Sequence, residues 1–351
     1  MKSEYVKITI LANKTISEAL KQMDLIKRKL LIIVNEDSSF FSLLSIGDIQ
    51  RAIIANKPLD TLINQIIRED VRVAYVGDDL EAVKNRMRIK RNEFMPIINE
   101  LREIIDVIFW EDLFENETRQ KQKSLNIPVV IMAGGKGNRL KPLTNVLPKP
   151  LIPINNKTII EDIMDRFLLS GCNDFFISVN YKAEMIRYYL NSLENKSYNI
   201  KYFQEDKPLG TAGSLSLLKG KITKTFFVSN CDILIDQDYS EILKYHRENN
   251  NEITIISALK HFPIPYGTIK SGENGQLIEL IEKPELTFKI NSGMYILEPN
   301  LLNLIPENKF LHITDLIQSV KERDGKIGVF PVSEKSWKDF GSLSEYKFGV
   351  K

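Results

Sequence analysis

Cysteine is scarce in this chain: Cys172 and Cys231 are the only two among 351 residues, far apart and without a pairing pattern. That excludes a disulfide scaffold and a thiolate zinc cluster, and it predicts a reducing, cytoplasmic setting. Histidine is almost as rare, and His246, His261 and His312 show no metal-ligand spacing. No apolar run approaches the ~20 residues of a membrane span, and the first residues carry no signal-peptide core, so no membrane partner is expected. Charge of one sign is not in excess either. With 48 basic and 46 acidic side chains the net charge is +2, too little to neutralise a run of nucleic-acid phosphates. Two familiar glycine signatures are also missing: no loop ends in Gly-Lys-Ser/Thr, and a dinucleotide fingerprint would need glycine where Leu140 stands.

What remains is a globular composition, 43% hydrophobic and 27% charged, in a chain long enough for two domains or three. Its most telling stretch is Ala133-Gly134-Gly135-Lys136-Gly137-Asn138-Arg139-Leu140-Lys141-Pro142-Leu143-Thr144, followed by Pro148-Lys149-Pro150. An apolar strand, Ile127 to Met132, feeds straight into this glycine turn, whose N–H groups are suited to phosphates, while Arg139 and Lys149 supply positive charge. A bare Gly-Gly-x-Gly could serve only to pack a strand against a helix. The Arg, Leu, Pro and Thr at fixed offsets, with a second basic motif behind them, point to nucleotide chemistry instead.

From about Ile127 to the C-terminus the chain resembles the sugar-1-phosphate nucleotidyltransferases, which join a nucleoside triphosphate to a sugar 1-phosphate and release pyrophosphate. Alternating strands and helices independently predict an α/β domain over 127–351: a mostly parallel sheet with helices on both faces and ligands at the carboxyl ends of its strands. The resemblance implies the Rossmann-like sheet of that family, related to the GT-A glycosyltransferases. It further implies that Arg139 and Lys149 grip the triphosphate and that the backbone at Ala133, Gly134, Gly135 and Gly137 approaches the nucleotide. Asp232, at the end of the apolar strand Thr225 to Ser229, and Asp339, in Trp337-Lys338-Asp339-Phe340-Gly341, match the family's Mg²⁺ ligands. Two hard oxygen donors completed by phosphate and water suit that ion.

Pro208-Leu209-Gly210-Thr211-Ala212-Gly213-Ser214 matches the segment that lies along the base, with Gly210 and Thr211 as nucleotide contacts and small side chains admitting a flat ring. Glu205 stands five residues before Gly210. As a pure acceptor it would favour guanine, whose N1–H and amino group donate; on a solvated loop it would do nothing of the kind. Tyr266-Gly267, Glu282-Lys283-Pro284 and Asn291-Ser292-Gly293 match the elements that hold the sugar and its phosphate, so the resemblance implies sugar-phosphate binding by Tyr266, Gly267, Glu282, Lys283 and Asn291.

Residues 116–126 read as a polar linker. Upstream, residues 1–115 show an internal duplication with a period of about 60 residues. Each copy reads as helix, strand, strand and short acidic-capped helix; Leu30 to Val34, Phe41 to Leu44, Phe94 to Ile98 and Ile104 to Phe109 are the strands. The pattern resembles a tandem pair of CBS domains, an α/β module that often binds adenine nucleotides and can mediate homo-oligomers. Ser45 and Asp48 match its phosphate- and ribose-binding motif in the first copy; in the second, Asp112 is kept but Phe109 replaces the hydroxyl. Ser45 and Asp48 equally suit a helix cap. The pairing of this module with the catalytic domain resembles the nucleotidyltransferases of bacterial legionaminic acid synthesis and flagellin glycosylation, which implies GTP and glucosamine 1-phosphate as substrates. Other triphosphates with mannose or glucose 1-phosphate stay open. Two rivals compete. A glycosyltransferase would use Asp236-Gln237-Asp238, which instead reads as a helix start, and a nucleotide sensor would keep a lapsed catalytic domain behind its CBS pair.

Overall fold

The computed structural model describes residues 5–68, 71, 73–90, 92–113, 124–154, 156–193 and 197–341, without the side chains of 88–90, 111 and 112. The Asp112 side chain and most of the expected linker therefore lie outside the described residues. The chain divides into two compact units, Met1–Gln120 and Lys121–Lys351.

The first unit repeats one small topology. Strand β1 (Thr9–Leu11), helix α1 (Ile16–Ile26), β2 (Leu30–Val34), β3 (Phe40–Ser45) and α2 (Ile46–Ile54) form the first half. The second half runs β4 (Ala74–Tyr75), α3 (Leu80–Lys90), β5 (Phe94–Ile98), β6 (Ile104–Phe109) and α4 (Trp110–Leu113). In each, the first strand pairs parallel to the second and the second antiparallel to the third. One core serves both halves, with Ile32 and Phe40 packed among Phe94 and Ile98. The backbone amide of Phe40 donates to the Arg102 carbonyl at 2.7 Å, and Arg102 Nε returns a bond to the Phe40 carbonyl at 2.9 Å. Thr15 and Glu18 close a capping box on α1, as their spacing predicts.

In the second unit β7 (Val129–Met132) is central and apolar throughout, as a parallel strand covered on both faces must be. After the short pair β8 (Pro153–Ile154) and β9 (Lys157–Thr158) come β10 (Asp174–Val179), β11 (Asn199–Gln204), β12 (Phe226–Asn230), β13 (Ile233–Ile235) and β14 (Ile253–Pro263). Then follow β15 (Thr268–Ser271), β16 (Leu277–Ile281), β17 (Glu285–Leu297), β18 (Ile327–Val332) and β19 (Trp337–Asp339). The main sheet has the order β11-β10-β7-β12-β17-β14-β18. Only β17 runs antiparallel to its neighbours; the other pairings are parallel.

Alternate residues of β7 feed two separate cores. Val129 and Ile131 join one face with the helices α6 (Ile159–Leu169), α7 (Ala183–Ser192) and α9 (Tyr239–Glu248), while Val130 joins the other with the short α8 (Gly210–Gly213) and with α10 (Ile313–Glu322). Helices thus cover both faces of a mostly parallel sheet. Helix α6 shows how locally this is encoded. Thr158 and Glu161 form its capping box, Ile159, Ile160, Ile163, Met164 and Phe167 are its buried stripe, and Gly171 follows at φ +75°. The far halves of β14 and β17 run on beyond the core as an exposed arm that ends in the β15/β16 hairpin.

Candidate active site

The glycine turn leaves the carboxyl end of β7, where Ala133 still pairs with β10 by donating to the Ser178 carbonyl at 3.1 Å. Its glycines are not equivalent. Gly137 has φ +64°, and a Cβ there would lie 2.8 Å from Thr144 Cγ2 and 3.1 Å from Lys149 Cβ, so this position admits glycine alone. Gly135 faces open space, with nothing within 4 Å of its Cβ position, and is the natural point of close approach for a ligand. The turn is held from behind. Thr144, 1% exposed, donates its hydroxyl to the Gly137 carbonyl at 3.0 Å, Tyr181 donates to the Thr144 carbonyl at 3.1 Å, and Lys182 Nζ caps the carbonyls of Asn145 and Val146 on the short helix α5 (Leu143–Val146).

Beyond the turn, four charged residues converge. Asp232 follows the buried strand β12, and its Oδ2 is ion-paired with Lys149 Nζ and lies 4.0 Å from an Arg139 Nη. The Lys149 and Asp232 side chains are only 11% and 9% exposed, whereas that of Arg139 is 69% exposed. Antiparallel pairing of β13 with β19 sets Ile233 opposite Asp339, and Phe340 donates to the Asp232 carbonyl at 2.9 Å. Asp339 Oδ1 accepts from the Gly341 amide at 2.6 Å. A Cβ at Gly341 would come within 2.7 Å of that oxygen and 2.9 Å of the Arg139 guanidinium, which places the arginine against the same corner. Asp232, just before β13, and Asp339, on β19, are thus brought to neighbouring segments, with Lys149 and Arg139 at the first and Arg139 near the second. Such a pair fits Mg²⁺, which rarely takes an all-protein cage; among the described residues no group of three or more His, Cys, Asp or Glu is set for a metal. Cys231 is beside them, but burial pushes its thiol up to about 12, so it stays a neutral packing group.

Glu205 is not a solvated loop residue. It is 8% exposed; Oε1 accepts from the Ser178 hydroxyl at 2.9 Å and Oε2 from the Leu209 amide at 2.7 Å, while Asn180 donates to its carbonyl at 2.8 Å. Its Oε1 also lies 3.3 Å from the Cβ position of Gly134, so the carboxylate sits directly under the glycine turn.

The small residues at Gly210 to Gly213 have a packing role that their sequence did not show. Gly210, at φ +79°, has the Leu311 carbonyl 2.6 Å from its Cβ position, and Gly213 has the Lys309 carbonyl at 2.5 Å. The amides of Ala212 and Gly213 donate to Leu311, and Thr211 accepts from the Ile313 amide at 3.0 Å. Their smallness lets the segment before α10 dock, and the Thr211 hydroxyl is engaged there.

Among the residues expected to bind the sugar phosphate, Gly267 and Glu282 face each other: a Cβ at Gly267 would be 2.9 Å from Glu282 Oε2. Tyr266, 75% exposed, and Lys283, at φ +46°, complete a group carried on the arm and not on the glycine turn. Asn291 is nearer the core, where its Oδ1 accepts from the Gly293 amide at 3.0 Å and from the Tyr295 hydroxyl at 2.9 Å. Gly293, at φ +84°, packs against Asn230, two residues from Asp232. Sequence reasoning missed Ser178, Asn180, Tyr181, Lys182 and Asn230. The polar Ser178 inside an otherwise apolar strand end was the one available signal.

In the first unit the capping role of Ser45 and Asp48 is realised. Ser45 Oγ accepts from the Asp48 amide at 3.3 Å, and the Asp48 carboxylate accepts from the Ser45 amide at 2.8 Å. Asp48, 2% exposed, is also paired with Arg51 and, at 2.7 Å, with Arg68. Asp238 likewise caps α9, accepting from the Ser240 amide at 2.9 Å, which leaves the Asp236-Gln237-Asp238 stretch as the helix start its sequence predicts.

Comparison with known proteins covers the second unit. A family model described as nucleotidyl transferase matches residues 128–348. The catalytic subunit beta of a mannose-1-phosphate guanylyltransferase from Dictyostelium discoideum is 33% identical over 227 residues, 63% of this chain and 63% of that one. A mannose-1-phosphate guanyltransferase of Yarrowia lipolytica is 37% identical over 183 residues, 50% of each. The chain thus spans between half and two thirds of the length of these relatives. A solved structure assigned as a glucose-1-phosphate thymidylyltransferase of Bacillus anthracis superposes with a TM-score of 0.51 at 22% identity, over 64% of this chain and 93% of the other, and so shares the fold. No helix among the described residues is long and apolar enough to cross a membrane.

Proposed function

The chain belongs to the nucleotidyl transferase family, and from that premise we propose that it joins a nucleoside triphosphate to a sugar 1-phosphate, releasing pyrophosphate. The observation that carries this is the convergence of Arg139 and Lys149 on Asp232 and Asp339 beside the glycine turn. In-line displacement at the α-phosphorus needs two polyanions held together and their charge neutralised, and no covalent nucleophile. Arg139 offers a planar fork to phosphate oxygens from an exposed position, Lys149 a point charge from a buried one. Gly135 leaves room for the triphosphate, and Asp232 and Asp339 would hold Mg²⁺, which offsets phosphate charge when bound. Glu282, Lys283 and Asn291 would orient the sugar phosphate so that its oxygen attacks opposite the leaving pyrophosphate.

GTP is the proposed triphosphate. The curated relatives are guanylyltransferases by name, and Glu205, fixed under the turn by Ser178 and Leu209, keeps acceptor capacity on both oxygens for the N1–H and amino donors of guanine. For the sugar we propose glucosamine 1-phosphate in a legionaminic acid pathway, on the two-unit architecture. Mannose 1-phosphate is the second reading, favoured by the names of the relatives. In the first unit Ser45 and Asp48 act as a cap, and an adenine nucleotide would be met by the neighbouring Arg51 and Arg68. Cytoplasmic location and assembly of copies through this unit belong to the same proposal.

Pyrophosphate release with Mg²⁺, measured over the four nucleoside triphosphates against glucosamine, mannose and glucose 1-phosphates, tests all of this. Turnover is expected with GTP and largest with glucosamine 1-phosphate; a mannose 1-phosphate maximum selects the second reading. No release with any pair, together with saturable binding of an adenine nucleotide to the full chain, would reverse the assignment in favour of a sensor.

A further inference from the structure

We infer that Lys149 is a built-in counter-cation that keeps the divalent-metal site closed until a triphosphate arrives, so that the metal enters with its nucleotide. The identity of the site rests on the reading above, but the contact itself does not. Lys149 Nζ is paired with Asp232 Oδ2, and both side chains are about nine-tenths buried. Arg139 adds a second positive group 4.0 Å from the same oxygen. A divalent cation reaching Asp232 alone would have to displace a buried ammonium and lodge near the Arg139 guanidinium. Repulsion between unit charges at such separations is severe where water is excluded.

A triphosphate changes that balance. It brings several negative charges to the glycine turn, where the root of Lys149 is already placed: its Cβ lies 3.1 Å from the Cβ position of Gly137. The lysine stem has four rotatable carbons, so Nζ can swing from Asp232 to a phosphate without backbone movement. Asp232 then presents its charge to the metal, next to Asp339 on the paired strand. Because coupling is reciprocal, nucleotide tightens metal binding and metal tightens nucleotide binding by the same factor.

The test measures metal binding, not turnover. Mn²⁺ is titrated into the full chain by electron paramagnetic resonance without nucleotide, for the native protein, Lys149→Gln, Lys149→Met, Lys149→Arg and Asp232→Asn. The neutral variants are expected to bind Mn²⁺ at least about tenfold more tightly than the native protein, because removing one partner leaves a buried carboxylate that the cation can satisfy. Lys149→Arg should stay near the native affinity and Asp232→Asn should lose the site. Mn²⁺ should also raise the Tm of the neutral variants more than that of the native protein. Lys149→Met, which keeps an unbranched apolar stem, carries the test should the Gln variant fold poorly. Equal or weaker Mn²⁺ binding in the neutral variants, or no binding in any of them, overturns the inference. Failure of pyrophosphate release with every substrate pair overturns the proposed reaction and leaves the metal result standing.

Discussion

At the scale of single residues, the site is built from side chains that restrain one another. Asp232 is both the proposed metal ligand and the partner of a buried lysine, so Asp232→Asn should have two effects. Turnover should fall by at least ~100-fold for loss of charge stabilisation at the reacting phosphate. Thermal stability should also drop while circular dichroism stays native, since Lys149 loses its counter-charge inside the protein; near-normal rates would remove Asp232 from the mechanism. Gly137 tests the turn separately. A methyl group at φ +64° and 2.8 Å from Thr144 Cγ2 must shift the loop, at a cost of about 1–3 kcal/mol. Gly137→Ala is expected to raise KM for the triphosphate several-fold and leave KM for the sugar phosphate unchanged, so initial-rate kinetics varying each substrate in turn would show whether the turn serves the nucleotide alone. The order of Arg139, Lys149, Asp232 and Asp339 was legible because each sits in a local motif. What those motifs could not show was that Lys149 and Asp232 would be paired, because that contact spans 83 positions.

At the scale of elements, Glu205 is the tie. One oxygen takes a bond from Ser178 at the end of β10, the other from the Leu209 amide that leads into α8. An amide in its place has a single acceptor oxygen; with that oxygen kept for the Leu209 amide, its N–H faces Ser178, whose hydroxyl must turn round and accept. Glu205→Gln should therefore cost about 1 kcal/mol, the difference between charge-assisted and neutral hydrogen bonds, read as a lower midpoint in urea unfolding. Should Glu205 also read guanine, KM for GTP rises in the same variant beyond what Ser178→Ala, which removes only the tie to β10, produces. Elements with strong local signals were legible to within a residue or two: β2, β3, β5 and β6 fall where the sequence predicts strands. β17 was not. Its first part, up to Asn291, lies on an exposed arm and the rest, from Ser292, is buried, so neither a period of two nor a continuous apolar run spans its thirteen residues. The β15/β16 hairpin escaped for the same reason, since its apolar side chains stand exposed on both faces.

At the scale of the whole molecule, the second unit owes part of its cohesion to one buried histidine. His246, on α9, is 1% exposed; Nδ1 contacts the Thr254 hydroxyl of β14 at 2.8 Å and Nε2 the Glu298 carboxylate after β17 at 3.1 Å. Thr225, just before β12, donates to the same Glu298 oxygen at 2.7 Å, and Asn251 donates to Thr254 at 3.2 Å. The imidazole thus joins a helix to two strand ends, and Glu298 extends the link to a third. Burial lowers its pKa below the ordinary 6.5, Glu298 opposes that shift in part, and Arg247 adds to it. Well above pH 6.5 the ring is neutral whether the chain is folded or not, and the site adds no pH dependence. As pH falls below that value the unfolded chain takes up the proton first, so folding stability declines, by at most about 1.4 kcal/mol per pH unit for one proton. His246→Gln retains one donor and one acceptor and cannot titrate. Urea midpoints measured from pH 7 downward should therefore fall less steeply in that variant than in the native protein through the region just below pH 6.5. Parallel slopes for the two would place the acid sensitivity in the carboxylates and take His246 out of it.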